Sequence, residues 1–317
     1  MKVLVTGGAG FIGSHYVRSM LDGRYPGYED AAVTVLDSLT YAGNTASLPM
    51  EHERLRFVTG DIRDADLLAG LLPGHDAVVH FAAESHVDRS LTGATAFVST
   101  NVVGTQQLLD SCLRADVGTV LCVSTDEVYG SISSGSWDED EPLLPNSPYA
   151  ASKAGSDLIA RAYHRTHGLD VRTTRCCNNY GPYQHIEKLI PLFVTNLLQG
   201  LPVPLYGDGR NVREWLHVDD HCAGIQLVLT RGEPGGIYNI GSGFEASNAE
   251  ITRRLVELCA ADPGLVRQVG DRKGHDLRYS VDTGKIEKLG YRPAVDFDAG
   301  LADTVQWYRD NPGWWKS

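Results

Sequence analysis

Thr6-Gly7-Gly8-Ala9-Gly10-Phe11-Ile12-Gly13 is the stretch that decides how this chain is read. An apolar run over residues 3–6 enters it directly, and a helical pattern opens at Phe11, so the glycines fall where a dinucleotide-binding turn needs them. Gly7 permits the tight turn, Gly10 lets a pyrophosphate approach the backbone, and Gly13 allows close packing of helix on strand. The free N–H groups and dipole of a helix N-terminus then favour the bound negative charge.

Outward from this turn, short apolar runs alternate with helical patterns, the signature of a parallel, doubly wound sheet. Strands are expected at 3–6, 33–36, 56–59, 77–81, 119–124 and 171–175, with helices beginning near Phe11, Asp64, Thr105 and Tyr149. The fold class is therefore α/β, a Rossmann-type doubly wound parallel sheet. Asp37 ends the second expected strand, where a carboxylate accepts hydrogen bonds from adenosine ribose hydroxyls and repels a 2′-phosphate; this favours NAD over NADP. Asp61 and Ala82-Ala83 lie along the same sheet edge. After Cys177 the alternation fades and Pro182, Pro191, Pro202 and Pro204 punctuate the chain. The expected division is a nucleotide-binding domain over 1–177, with 212–240 returning to it, and a smaller C-terminal substrate-binding domain over 178–317.

Composition narrows the partners. A formal charge of −12 on 317 residues argues against sequence-independent nucleic-acid binding, so local cations and backbone amides must hold any phosphorylated ligand. No apolar stretch reaches the length of a membrane span, and because Met1-Lys2-Val3 enters a glycine-broken apolar segment within eight residues, no signal peptide is expected. The six cysteines show neither C-x-x-C spacing nor a Cys/His cluster, so no metal site and no disulfide framework is expected. A reduced, cytoplasmic enzyme is the expectation.

The chemistry concentrates in two segments. Tyr149 and Lys153 are four residues apart on an expected helix, hence on one face. A phenol with a reference pKa of about 10 becomes a usable base when an ammonium and a nicotinamide cation favour its phenolate. Just past the fifth strand, Ser124-Thr125-Asp126-Glu127-Val128-Tyr129-Gly130 supplies a hydroxyl and two carboxyl groups. Such a pair divides into acid and base when its environments separate the pKa values. Simple dehydrogenation requires neither carboxyl.

Together these motifs resemble the extended short-chain dehydrogenase/reductase superfamily and, within it, the dTDP-glucose 4,6-dehydratase family. The resemblance runs almost end to end. It includes Leu39-Thr40-Tyr41-Ala42-Gly43-Asn44, Ala82-Ala83-Glu84-Ser85-His86-Val87-Asp88-Arg89-Ser90, Asn178-Asn179-Tyr180-Gly181-Pro182-Tyr183, Glu187-Lys188-Leu189-Ile190-Pro191 and Gly274-His275-Asp276. Sugar 4-epimerases typically carry small hydroxyl or apolar residues where Asp126 and Glu127 stand, and GDP-mannose dehydratases usually have serine in place of Asp126.

The resemblance implies a cycle in which Tyr149 takes the C4 hydroxyl proton while hydride passes to NAD, with Thr125 on O4 and Lys153 on the ribose and the phenolate. Glu127 abstracts the C5 proton, Asp126 protonates the departing C6 hydroxyl, and hydride returns to C6. It further implies cofactor contacts at Gly7, Gly10, Phe11, Ile12, Gly13, Asp37, Ser38, Leu39, Thr40, Gly43, Asp61, Ile62, Phe81, Ala82, Ala83, Ser85, Thr100, Tyr149, Lys153 and Asn179. The substrate, dTDP-glucose, is assigned to Ser85, Thr125, Asn178, Lys188, Leu189, Pro204, Tyr206, Arg213, Asn248, Arg272, His275 and Tyr279. Arg213 and Arg272 are the local cations that the acidic chain needs, since a guanidinium grips a pyrophosphate bidentately, and Tyr206 suits stacking on a pyrimidine. Ile186 and Lys273 depart from family prolines in the expected substrate loops.

A homodimer through helices near 105–113 and 149–164 is also implied, although apolar positions there equally suit a monomer's core. The competing readings are another sugar-nucleotide dehydratase or a 4-epimerase and, from a different class, a non-catalytic NAD-binding sensor. That last reading leaves the proton-transfer set without a use.

Overall fold

In the computed structural model, which describes residues 1–316, strand and helix alternate through the first half of the chain. β1 (Lys2–Thr6) runs into α1 (Phe11–Leu21), then come β2 (Ala32–Asp37), β3 (Leu55–Thr59), α2 (Ala65–Leu71) and β4 (Ala77–His80). The helices α3 (Val87–Thr92), α4 (Ala94–Phe97) and α5 (Thr105–Arg114) precede β5 (Thr119–Thr125), α6 (Pro148–His167) and β6 (Val171–Cys176). The second half runs β7 (Asn178–Tyr180), α7 (Leu189–Leu198), β8 (Val203–Tyr206), β9 (Val212–His217), α8 (Val218–Arg231), β10 (Ile237–Ile240) and β11 (Glu245–Ser247). It ends with α9 (Asn248–Cys259), β12 (Val266–Val269), α10 (Gly284–Glu287), α11 (Phe297–Asp310) and α12 (Pro312–Trp315).

Seven strands form one parallel sheet in the order β10-β6-β5-β4-β1-β2-β3. Its strands are runs such as Val3-Leu4-Val5, fully buried because helices cover both faces. One apolar layer gathers Tyr16, Val17 and Met20 of α1 with Ile225 and Val228 of α8; the opposite layer gathers Leu68 of α2 with Leu108, Leu109 and Cys112 of α5. From β1 the chain winds outward to β3, then returns to β4 on the other side of β1. The carboxyl ends of β1 and β4 thus flank the switch point, where open α/β sheets bind their ligands.

The segment expected to return to this sheet divides in two. β10 and the apolar face of α8 join it, but β9 pairs with β7 and β11 in a separate three-stranded sheet. β8 and β12 form a two-stranded ribbon beyond it. A third apolar layer holds this region together, with Phe193 of α7, Trp215 of β9, Leu255 of α9 and Leu301 of α11. Later, Ile286 and Tyr291 pack back onto the first layer. We propose a nucleotide-binding body over 1–177 joined by 218–240, and a substrate-binding body built on β9 and the segments around it.

The two helices that matter for the site begin differently. α6 begins at Ser147, whose hydroxyl accepts from the Ala150 amide at 3.1 Å, with Pro148 at its first position, and stops at Gly168 in a left-handed conformation. α1, in contrast, starts at Gly10 with no side-chain cap.

Candidate active site

A cavity of about 320 Å³ opens at the switch point. Its cofactor-side wall is the glycine turn. Gly7 has φ +70°, and a Cβ there would stand 2.5 Å from the Ala82 amide nitrogen. A Cβ on Gly13 would lie 2.4 Å from the Gly7 carbonyl, so α1 seats against β1 only because the residue is glycine. At Gly10 nothing but that same carbonyl, at 3.3 Å, would meet a Cβ, and Phe11, Ile12 and Gly13 of the uncapped α1 terminus line the cavity beside it. Asp37 ends β2 and accepts from the Ala9 amide at 2.9 Å and the Leu39 amide at 2.8 Å. Burial raises its carboxyl above the usual range, and these two bonds partly offset that. Uncapped amides, a position bare of side chain and a fixed carboxylate at the neighbouring strand end are a donor set that fits a dinucleotide.

All of the residues expected on the cofactor line this cavity except Leu39. Leu39 has φ +50°, spends its amide on Asp37 and is more than one-third exposed. Thr100 arrives by a route that the sequence hid. Between α4 and α5 the helix continues as a π-helical stretch, Val98–Gly104, whose wider turn brings Thr100 to the cavity. In the same stretch Asn101 donates to Ser152 on α6 at 2.8 Å and to the Glu84 carbonyl at 3.0 Å. Sequence reasoning also missed Arg63, paired with Asp61 at 2.6 Å, and Gln184 and His185, all of which line the cavity. Only Arg63 carried a signal, a cation two residues after a named carboxylate.

Past β5, Asp126–Tyr129 make one 3₁₀ turn, and the Thr125 hydroxyl accepts from the Glu127 amide at 3.3 Å. This turn is braced from behind. Arg175 on β6 pairs with Asp157 on α6 at 2.9 Å and donates to the Tyr129 hydroxyl at 2.7 Å, which itself donates to Asn239 on β10 at 2.9 Å. The acidic turn and the helix carrying Tyr149 therefore share one buried anchor.

Asp126 and Glu127 sit in unlike surroundings. Asp126 is 2% exposed; its Oδ1 accepts from the Thr125 hydroxyl at 3.2 Å, and its Oδ2 is buried without a partner. Burial, then repulsion from Glu127 and Glu214, pushes its carboxyl well above the ordinary range. Burial also raises Glu127, but Lys188, Arg213 and Arg272 pull it back down. The pair is thus biased toward one protonated and one ionised carboxyl.

Lys153 lies one turn along α6 from Tyr149, yet its ammonium donates to the Val123 carbonyl at 2.8 Å. Burial, followed by repulsion from Glu127, Cys176 and Asp126, holds the Tyr149 phenol well above its usual pKa. In the protein alone the Lys153 ammonium is held against β5 and the Asp157 carboxylate.

The residues expected on the substrate fall into two groups. Ser85, Thr125, Asn178 and Lys188 line the cavity, and the Lys188 ammonium donates to the Ser85 carbonyl at 2.9 Å. Leu189, Pro204, Tyr206, Arg213, Asn248, Arg272, His275 and Tyr279 lie outside its lining. Several of these assemble next to it. The Arg213 guanidinium stands 4.4 Å over the Tyr279 ring, that of Arg272 5.3 Å over Tyr206, and Arg272 pairs with Asp88 of α3 at 2.5 Å. Glu127 joins this group to the cavity, since it feels the charges of both arginines. Ile186 and Lys273 are exposed on their loops. His86 approaches the Glu187 carboxylate at 3.7 Å, His217 packs edge-on against Tyr180, and Trp215 is core. Among the described residues, no group of three His, Cys, Asp or Glu side chains is placed to hold a metal ion.

The family model for GDP-mannose 4,6 dehydratase matches residues 4–304. The chain is 59% identical over 318 residues to dTDP-glucose 4,6-dehydratase of Streptomyces antibioticus, covering all of this chain and 95% of that protein. Its structure superposes with a TM-score of 0.98 on the crystal structure of a Streptomyces venezuelae dTDP-glucose 4,6-dehydratase with NAD bound, at 68% identity over 100% of this chain and 99% of that one. A Thermus thermophilus UDP-glucose 4-epimerase in complex with NAD gives 0.89 at 32% identity, covering 98% of this chain and 99% of that one.

Proposed function

The chain belongs to the GDP-mannose 4,6-dehydratase family, and from that premise we infer how its residues convert dTDP-glucose to dTDP-4-keto-6-deoxyglucose and water. It is an NAD-dependent hydro-lyase. NAD, when bound, supplies the hydride acceptor for C4 and the hydride donor for C6, and its cationic ring favours the Tyr149 phenolate. Gly7, Gly10, Gly13 and the α1 terminus hold its pyrophosphate, and Asp37 its adenosine ribose.

Thr125 holds O4 while Tyr149 removes the C4 hydroxyl proton. With C4 a ketone, the C5 hydrogen is acidic and Glu127 takes it; Asp126, kept protonated by burial, gives its proton to the departing C6 hydroxyl. C5 is then reprotonated. Lys188, Arg213 and Arg272 neutralise the diphosphate and keep Glu127 ionised. The observation that carries this reading is the unlike surroundings of the two carboxyls at the end of β5: burial raises both, but three nearby cations offset part of the rise at Glu127 while Asp126 is pushed well above the ordinary range. An epimerase needs only the C4 oxidation and has no use for that pair. Purified protein offered dTDP-glucose, UDP-glucose and GDP-mannose separately should yield a 4-keto-6-deoxy product from the first by a wide margin; an epimerised hexose as the product would refute the reading.

We also propose a homodimer through α5 and α6. Val98, Val103 and Leu158 leave about half or more of their surface exposed on these helices and the stretch before α5. Sedimentation at micromolar concentration should give twice the chain mass. A cytoplasmic location fits six unpaired cysteines, and no helix is long and apolar enough to cross a membrane.

A further inference from the structure

Asp276 lies beneath the loop that carries Arg272 and His275, 7% exposed, with both carboxylate oxygens engaged. One accepts from the Asn146 side-chain amide at 2.6 Å and the other from the Tyr279 hydroxyl at 2.5 Å. Its main-chain carbonyl accepts from the Arg213 guanidinium at 3.0 Å and the Asn211 side-chain amide at 3.1 Å. Arg213 and Tyr279 are in turn packed on each other, cation over ring.

These partners come from separate parts of the chain. Asn146 immediately precedes Ser147, the cap that starts the helix carrying Tyr149, whereas Arg213 stands on β9. The loop comes close to the helix start because Gly274, at φ +64°, has no side chain; a Cβ there would lie 3.0 Å from the Asn146 carbonyl. One residue therefore holds a diphosphate-binding candidate, an aromatic beside Glu127 and the start of the catalytic helix.

We propose that Asp276 is a positioning residue which couples the grip on the nucleotide to proton transfer, by fixing Arg213, Tyr279 and the start of α6 in one arrangement beside Asp126 and Glu127. Its negative charge also acts on the reaction, since it is among the groups that raise the Glu127 carboxyl. The inference rests on the dehydratase reading above.

The test uses full-length protein with NAD and dTDP-glucose. Asp276→Ala should lower kcat/KM by about 30-fold, the scale of one lost charge-assisted hydrogen bond, with NAD still bound. Tyr279→Phe should lose less. The double variant should match Asp276→Ala, because both changes remove one shared contact. Asp276→Asn separates charge from shape. The Asn146 amide can turn its oxygen toward the new donor, so kcat/KM should stay within about fivefold of wild type, while the acid limb of its pH profile moves to lower pH.

A kcat/KM for Asp276→Ala within twofold of wild type, additive losses in the double variant, or an unmoved acid limb in Asp276→Asn would each overturn the inference. Should Asp276→Ala fail to fold, Asp276→Asn and Tyr279→Phe decide it alone. Turnover of dTDP-glucose by wild type separates the two failures: without turnover the dehydratase reading falls and takes this inference with it, and turnover with unaltered variants removes only the role of Asp276.

Discussion

The two halves of the site are built on opposite principles. The pyrophosphate and ribose corner of the cofactor half is local and made largely of backbone: eight consecutive residues and one strand-end carboxylate create it, and its shape comes from what glycine leaves out. The substrate half is made of charged side chains brought together from α3, Lys188 just before α7, β9 and the loop over 271–279, with no two of the cations adjacent in sequence. Between them stands the acidic turn, which belongs by sequence to the first half and takes its electrostatics from the second. The charges that act on Glu127 come from residues roughly 60 to 150 positions away, so in the proposed mechanism the chemistry depends on the halves being held together.

Removing the turn's function should give the largest effect. Asp126→Asn combined with Glu127→Gln is expected to slow product formation by about a thousandfold or more, while C4 oxidation, read as absorbance of reduced cofactor in a single turnover, is largely spared. Equal loss of both steps would erase the distinction between the turn and the cofactor half.

Gly7→Ala attacks the local half. Its Cβ would meet the Ala82 backbone with no flexible neighbour to yield, so stability should drop by about 3 kcal/mol, seen as a lower urea midpoint together with weakened NAD binding. Arg213→Ala attacks the distributed half: KM for dTDP-glucose should rise roughly 30-fold with NAD affinity unchanged, because only one buried cation is lost. If NAD affinity fell in parallel, the two halves would not be separable.

The smallest effect concerns stability. The folded pKa of Glu127 lies above its unfolded value, so the ionised group costs stability above that pKa and the cost is relieved as pH falls through it. Glu127→Gln should therefore melt about 2 °C higher at neutral pH, an activity group held at some expense of stability. A lower melting temperature would mean that the carboxylate is better satisfied than its surroundings suggest.

The same contrast explains what the sequence made legible. The parallel sheet, the glycine turn, Asp37 and the Thr125-Asp126-Glu127 turn follow from nearest-neighbour pattern, because strand, turn and helix each leave a mark within ten residues. Strand β9 had the apolar pattern of a sheet member, but β7 and β11, its partners, are three residues long and leave no periodicity to read. The π-helical stretch that brings Thr100 to the cavity has ordinary helical composition. Arg213, Arg272 and Tyr279 were named from resemblance, and their packing on Asp276, Tyr206 and each other is tertiary information. The engagement of Lys153 with Val123 instead of the Tyr149 phenol also depended on where β5 ends relative to α6.

The central claim is that an ionised Glu127 and a protonated Asp126 act on C5 and C6 of a sugar whose C4 is transiently oxidised. It is tested most directly by turning over dTDP-glucose labelled with deuterium at C4 in ordinary water, and unlabelled substrate in deuterated water, and locating the label by NMR. The account predicts C4 deuterium recovered at C6 in the first product and solvent deuterium at C5 in the second. Label returned to C4, or a C5 position that never exchanges with solvent, would contradict it.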